Sequence, residues 1–307
     1  MGLQSEDACL FAGKTVVVTG ASDGIGRAAS RAYLMGGATV VMVGRNEAKT
    51  VAAANRLMSE TGERRVQWEI ADLSVLDEVQ ELAHRLLARH PRIDVLANNA
   101  GAMFLDRMDT RDGIERTVAL NHLGYFALTL QLLPALATAG SDGPARVVCV
   151  SSRAHENARV AMDDLQLVHG YGGWRAYCNS KVYNLWFARA LAARVDPSRL
   201  LVQAMHPGVV HTRFATNNGG KGRLLRRLMD VVSITPEAGA DTLVWLSHAA
   251  EALAYPGGYW VKRRLRTPSR LARDEQRAEQ LWHESVRLTG LDADTLIATA
   301  GVARAMA

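Results

Sequence analysis

The sequence predicts an α/β protein with one doubly wound, mostly parallel sheet of about seven strands and helices on both faces. Three observations carry that reading. Short apolar runs alternate with segments of helical period through the first two thirds of the 307 residues, and the runs have the length and β-branched content of buried parallel strands. A helix-length segment separates each run from the next, which is the rhythm of repeated βαβ units. No shift in composition divides the chain, so a single Rossmann-type domain over residues 1–307 accounts for it.

Taken in order, the strands are expected at residues 15–18, 39–43, 66–70, 93–97, 146–150 and 201–205. Helices are expected between them at 25–35, 47–60, 76–89, 112–137 and 174–193. Gly36 and Gly37 stop the first helix. Beyond Pro207 the rhythm changes: residues 212–235 are rich in glycine and arginine, with Asn217-Asn218-Gly219-Gly220 as a turn signal, and 207–235 reads as a substrate-loop region. Thr235 as N-cap and Pro236 at the first position open a helix to His248. A last strand follows at 259–261, then a charged amphipathic helix at 271–288 within a C-terminal helical extension, 263–307. Residues 1–12 form an N-terminal arm.

With 48% apolar and 22% charged residues, the chain suits a soluble globular protein with one large core. Its formal charge of +5 comes mainly from arginines such as Arg223, Arg226, Arg227, Arg263, Arg264 and Arg266. No aromatic-studded basic platform accompanies them, so the charge reads as a solvated surface and argues against a nucleic-acid partner. Cys9, Cys149 and Cys178 lack the spacing of a disulfide framework or a metal knuckle and read as reduced thiols of a cytoplasmic protein. The N-terminus, with Glu6 and Asp7, has no secretory signal pattern, and no apolar run reaches membrane-spanning length. The alternating basic and apolar residues of 221–232 offer at most a peripheral membrane contact.

The first strand runs into Thr19-Gly20-Ala21-Ser22-Asp23-Gly24-Ile25-Gly26 and then a helix. Glycines there let the backbone turn tightly and approach a pyrophosphate, while free amides at the helix start bind its oxygens. The spacing is G-x-x-x-G-x-G, a variant of the dinucleotide fingerprint. After the second strand, where an acid would meet the ribose hydroxyl of NAD, stands Gly44-Arg45-Asn46. A guanidinium at Arg45 pairs with a 2'-phosphate, which predicts NADP(H) in preference to NAD(H).

Tyr177 and Lys181 lie one helical turn apart on a single helix face, so the ammonium is expected to favour the phenolate and bring the phenol closer to neutrality. Such a pair is common by chance, and its company decides. Asn98-Asn99-Ala100-Gly101, Ser151-Ser152 and Pro207-Gly208 accompany the glycine turn and Tyr177-Cys178-Asn179-Ser180-Lys181. These five motifs resemble, in order and approximate spacing, those of the short-chain dehydrogenase/reductases, over about residues 13–262. Arg45-Asn46, Asn121-His122-Leu123-Gly124 and Ser151-Ser152-Arg153-Ala154-His155 look most like the retinol-dehydrogenase-like branch. The later segments Gly239-Ala240-Asp241-Thr242 and Tyr259-Trp260-Val261 look similar to the member 12 group of dehydrogenase/reductases.

The resemblance implies an oxidoreductase interconverting a small-molecule carbonyl and an alcohol with NADP(H). Tyr177 would be the general acid/base, Lys181 would lower its pKa and hold the nicotinamide ribose, and Ser152 would hydrogen-bond the substrate oxygen. Asn121 would hold, through its backbone carbonyl, a water linking Lys181 to solvent. Gly20, Ser22, Asp23, Gly24, Ile25 and Gly26 would cradle the cofactor. Asp72 and Leu73 would meet the adenine, Asn98-Asn99-Ala100-Gly101, with Asn98, Ala100 and Gly101 as its cofactor residues, would close over the ribose and support the sheet core, and Pro207, Gly208, Val210 and Thr212 would meet the nicotinamide half. No metal site is expected: His155, His206 and His211 lack ligand spacing.

Between Ser152 and Tyr177 lie more residues than compact members of that family have, so 153–173 forms a substrate wall together with 212–235. Met103, Phe104, Tyr171, Trp174 and Phe214 suggest a bulky lipophilic substrate. The family resemblance suggests a homodimer or homotetramer paired through the helices at 112–137 and 174–193, with the tail after Val261 able to block an interface. A cofactor-binding regulatory or scaffold protein on the same fold is the alternative; retention of Asn121, Ser152, Tyr177 and Lys181 together argues against it.

Overall fold

The computed structural model describes residues 10–208 and 234–305. Eight strands form one sheet in the order β3-β2-β1-β4-β5-β6-β7-β8. They are β1 (Thr15–Thr19), β2 (Thr39–Gly44), β3 (Val66–Ile70), β4 (Val95–Asn98), β5 (Ala145–Val150), β6 (Leu200–His206), β7 (Tyr259–Val261) and β8 (Arg264–Arg266). Pairing is parallel from β3 through β7 and antiparallel only between β7 and β8. The order reverses at β1, so a crevice opens beyond the carboxyl ends of β1 and β4, the position where such sheets bind ligands.

Alternation along the strands builds two cores. Val16, Val18, Val40, Met42, Val95 and Ala97 face one side, packed by α1 (Gly24–Met35) and α2 (Glu47–Thr61). Val17, Val41, Val43, Leu96, Val147 and Cys149 face the other, with α3 (Leu76–Arg89) among the helices there. Phe11, the end of the N-terminal arm, is buried edge-on against Tyr33 of α1, ring centroids 5.0 Å apart.

The helix expected at 112–137 is not continuous. Glu115 starts it by accepting from the N–H groups of Thr117 (2.8 Å) and Val118 (2.9 Å). A single turn, α4 (Arg116–Val118), then passes into a π turn at Ala119–Leu123, followed by α5 (Gly124–Gln131), a break at Leu132 and α6 (Leu133–Ala139) with Pro134 in its first turn. The π turn holds Asn121, consistent with the way such bulges gather at functional positions.

The long α7 (Gly173–Arg194) leads into β6, and α8 (Pro236–Leu246) opens with Thr235 accepting from the Ala238 N–H at 3.2 Å, as expected. The expected helix at 271–288 is divided: a 3₁₀ turn at Leu271–Arg273, then α9 (Glu275–Thr289) capped by Asp274. A further helix, α10 (Ala293–Thr299), lies within the expected C-terminal helical extension. Trp282 of α9 packs on Phe126 of α5 at 5.1 Å and stacks on Phe187 of α7 at 6.4 Å, with the Arg194 guanidinium over its ring at 4.2 Å. Trp282 of the C-terminal extension thus packs against α5 and α7, which belong to the segments suggested for subunit pairing. Among the described residues no single helix is long and apolar enough to cross a membrane; residues 221–232 lie outside them.

Candidate active site

The glycine turn joins β1 to α1 with the backbone room a dinucleotide needs. Gly20 and Gly24 have φ of +65° and +52°, conformations that side chains disfavour. A Cβ on Gly26 would stand 2.3 Å from the Gly20 carbonyl oxygen, so only glycine lets helix and turn close together. Asp23 caps α1, accepting from the Gly24 N–H at 2.8 Å, and Ser22 and Ile25 remain partly accessible beside the helix start. This cradle fits a pyrophosphate.

Asn99, in the segment expected to close over the adenine ribose and support the sheet core, braces the turn. Its side chain donates to the Thr19 carbonyl at 2.8 Å, and the Thr19 hydroxyl accepts from the N–H groups of Asn99 (2.9 Å) and Ala100 (3.0 Å). Asn98, in contrast, is turned into the core and donates to Thr129 of α5 at 2.8 Å, so it shapes the sheet and not the crevice. Ala100 and Gly101 continue from it along the crevice floor.

At the other end, Arg45 is half-exposed and reaches Asp72 at 3.5 Å; Arg116 approaches the same carboxylate at 4.0 Å while lying over the Phe104 ring. Asp72 is held by the Ser74 N–H (3.0 Å) and hydroxyl (2.7 Å). Leu73 is buried, its carbonyl against Gly124, so only its backbone faces this region. Arg116 is a second guanidinium here that sequence reading missed. Nothing local marks it, because its partners Asp72 and Phe104 are distant in sequence.

The four residues of the expected catalytic set converge. Ser151 and Ser152 follow β5 and point apart: the buried Ser151 hydroxyl donates to the Lys181 carbonyl at 2.7 Å, whereas the Ser152 hydroxyl is partly accessible, accepts from the Ala154 N–H at 3.2 Å and lies close enough to the Tyr177 phenol to influence it. Lys181 is buried and donates to the Val150 carbonyl at 3.1 Å, its nitrogen 5.4 Å from the Tyr177 ring centre. Asn121 accepts from the Ala102 N–H (2.9 Å) and donates to the Ala102 carbonyl (2.9 Å) and the Ser180 hydroxyl (3.0 Å). Its side chain therefore ties the segment after β4 to α7.

Electrostatics in the free protein differ from expectation. Burial raises the Tyr177 phenol above its ordinary value, only partly offset by the Ser152 hydrogen bond. Lys181 donates to the Val150 carbonyl, and burial lowers its own pKa to about 8. Desolvation outweighs attraction for both groups.

The wall of residues 153–173 is knitted to the loop before α4. Tyr171 donates to the Phe104 carbonyl at 3.0 Å, and the Gln166 side chain accepts from the Glu115 N–H at 3.0 Å. Gly173 lies against Phe104 and Leu105, where a Cβ would stand 2.2 Å from the Phe104 carbonyl. Trp174 is 53% exposed with its ring 5.9 Å from that of Tyr177; Met103 and Phe104 are buried beneath the rim. Pro207 and Gly208 sit partly buried at the end of β6, with Gly208 at φ +94°. Val210, Thr212, His211 and Phe214 lie outside the described residues. Among the described residues no His, Cys, Asp or Glu cluster suits a metal ion.

A parallel sheet with its crevice at the β1/β4 reversal, a glycine cradle and a Ser, Tyr, Lys set define a nucleotide-dependent oxidoreductase scaffold. Residues 14–221 match the family model for short chain dehydrogenases. The chain is 34% identical over 290 residues to retinol dehydrogenase 13 of Homo sapiens, covering 92% of this chain and 87% of that one. It is 37% identical to polyprenol dehydrogenase of Mus musculus, covering 91% and 84%. A short chain dehydrogenase of Shigella flexneri crystallised with NADP superposes with a TM-score of 0.62 at 28% identity, covering 84% of this chain and 100% of that one. The chain belongs to the short-chain dehydrogenase/reductase family, in its retinol-dehydrogenase-like branch.

Proposed function

We propose that this protein is an NADP(H)-preferring reductase or dehydrogenase for a lipophilic carbonyl/alcohol pair, with Tyr177 as general acid/base. The observation that carries the reading is the convergence of Ser152, just beyond β5, on Tyr177 of α7, with Lys181 one turn along the same helix and its nitrogen 5.4 Å from the Tyr177 ring centre. A nicotinamide cofactor bound along the glycine cradle would supply the hydride. Reduction builds negative charge on the carbonyl oxygen. Ser152 stabilises that charge with its hydroxyl, and Tyr177 neutralises it with its proton.

The raised phenol of the free protein suits this role, since at neutral pH it holds the proton it must give. Lys181 then stabilises the resulting phenolate with its ammonium charge and binds the nicotinamide ribose. Asn121 keeps Ala102 and Ser180 in place around Lys181. Arg45, with Arg116 nearby, supports the NADP(H) preference, and Pro207, Gly208, Val210 and Thr212 take the nicotinamide half. The lipophilic substrate class rests on Trp174, Met103 and Phe104. Buried free Cys149 and Cys178 suit a reducing cytoplasm.

The direct test follows NADPH absorbance with aldehydes, ketones and quinones. Turnover that falls at least about 100-fold in Tyr177→Phe, with NADPH still bound, is expected. Near-normal kcat in that variant removes Tyr177 from the acid role. Binding without turnover across a broad panel would favour the scaffold alternative.

A further inference from the structure

β5 ends at Val150, and the last ladder bond beyond it runs from the Ser151 N–H to the Met205 carbonyl at 2.8 Å. The peptide group between Ser152 and Arg153, two units further on, has no strand partner on either side. An imidazole bonds each of its two polar atoms. The Ser152 carbonyl accepts from Nδ1 of His155 at 2.7 Å as well as from the His155 N–H at 3.1 Å, and the Arg153 N–H donates to Nδ1 of His206 at 3.2 Å. His206 is the last residue of β6, so its side chain replaces the ladder bond that the strand no longer supplies.

Donor and acceptor chemistry settles both tautomers. A carbonyl only accepts, so His155 carries its proton on Nδ1. Its Nε2 is bare and accepts from the Ser269 N–H at 3.2 Å. A backbone N–H only donates, so Nδ1 of His206 is bare and the proton sits on Nε2. Both rings are buried, and burial lowers the pKa of each, that of His206 to about 4. Tyr259 packs edge-on against His155 at 5.2 Å, with Arg153 and Glu156 the charged neighbours. With three of the four ring nitrogens committed to backbone, the pair is built for holding a peptide and not for a metal.

We propose that His155 and His206 are positioning residues for Ser152: they clamp the Ser152–Arg153 peptide from both ends and so aim the Ser152 hydroxyl at Tyr177, with Ser269 tying the clamp to the C-terminal extension. This rests on the reading of Ser152 as the donor to the substrate oxygen. A small loss of aim is costly, since misplacement by about 1 Å can lower turnover about 100-fold.

The test compares His155→Leu with His155→Asn, whose amide can still donate from the Nδ1 position, and His206→Leu with His206→Asn, whose carbonyl can still accept there. Expected is a loss of about 10- to 100-fold in kcat for each leucine variant, recovery to within about 5-fold for each asparagine variant, and NADPH affinity close to wild type in all four. Leucine variants with wild-type kcat, or asparagine variants no better than leucine, overturn the proposal. Ser152→Ala separates the two readings: wild-type kcat there removes the role of Ser152 itself, whereas a large loss with intact leucine variants removes only the clamp. ¹⁵N spectra of the unaltered protein at pH 7 give an independent check. His155 protonated at Nδ1 and His206 at Nε2 support the clamp, and either opposite tautomer refutes it.

Discussion

Lys181 donates its side-chain hydrogen bond to the carbonyl of Val150, the last residue of β5, at 3.1 Å. Asn184, one turn further along α7, donates to the same oxygen at 3.2 Å. An amine with so little hydration is costly to keep charged, and its pKa falls to about 8. Lys181→Met should therefore stabilise the cofactor-free protein by about 1–3 kcal/mol, a rise of a few degrees in Tm, while turnover is lost. Asn184 still serves the carbonyl in that variant. Calorimetry alongside NADPH turnover checks both halves; a lower Tm would show that the ammonium contributes net stability.

Arg45 is already engaged with Asp72 in the free protein. Arg45→Asp places two carboxylates together and removes the partner for a 2'-phosphate. The ratio of kcat/KM for NADPH over NADH should fall by about 10- to 100-fold, the worth of a charge-assisted hydrogen bond. An unchanged ratio would move the selectivity elsewhere, with Arg116 the next residue to substitute.

Buried neutral histidines set the response to acid. Burial lowers His122 to about 3 and His206 to about 4. Their folded values lie below the unfolded one near 6.5, so the unfolded chain binds more protons between these limits. Their stabilising effect is full above about pH 6.5 and is lost as pH falls toward 4, at up to about 1.4 kcal/mol per pH unit for each ring. His122, bonded to Ser285 at 2.7 Å, offers the clean test. Urea unfolding from pH 7 to 5 should show a shallower pH slope in His122→Phe than in wild type.

Trp174 stands at the rim with its ring tilted toward Tyr177. Trp174→Ala should raise KM for bulky aromatic or polyene carbonyls by about 10-fold through lost apolar contact, and leave small aldehydes nearly unaffected. Equal effects on both substrate sizes would place Trp174 outside the substrate path.

The strands were legible because parallel strands buried on both faces read as unbroken apolar runs, as at Val16, Val17 and Val18. β8 was not, since Arg264, Leu265 and Arg266 are exposed and the turn before it uses Lys262 and Arg263 at φ of +51° and +56°, without the usual glycine or asparagine. Pro134 was an available signal against a continuous helix at 112–137. The π turn had none, because it depends on where the Asn121 side chain finds partners at Ala102 and Ser180. In the site, motif order located Ser152, Tyr177 and Lys181. It left Arg116 and the two histidines without roles, since their partners lie far away in sequence or beyond a local turn. The effect of burial on Tyr177 was likewise invisible in a spacing of four.

Trp282 brings its ring to Phe126 and Phe187 from the same chain that carries them. A surface shielded this way obeys no mass action: its local concentration of partner is set by the chain and does not fall on dilution. Melting curves recorded at nanomolar and at tens of micromolar protein should coincide for this half of the molecule, and cutting the chain between Arg266 and Leu271 is what would make its stability depend on how much protein is present.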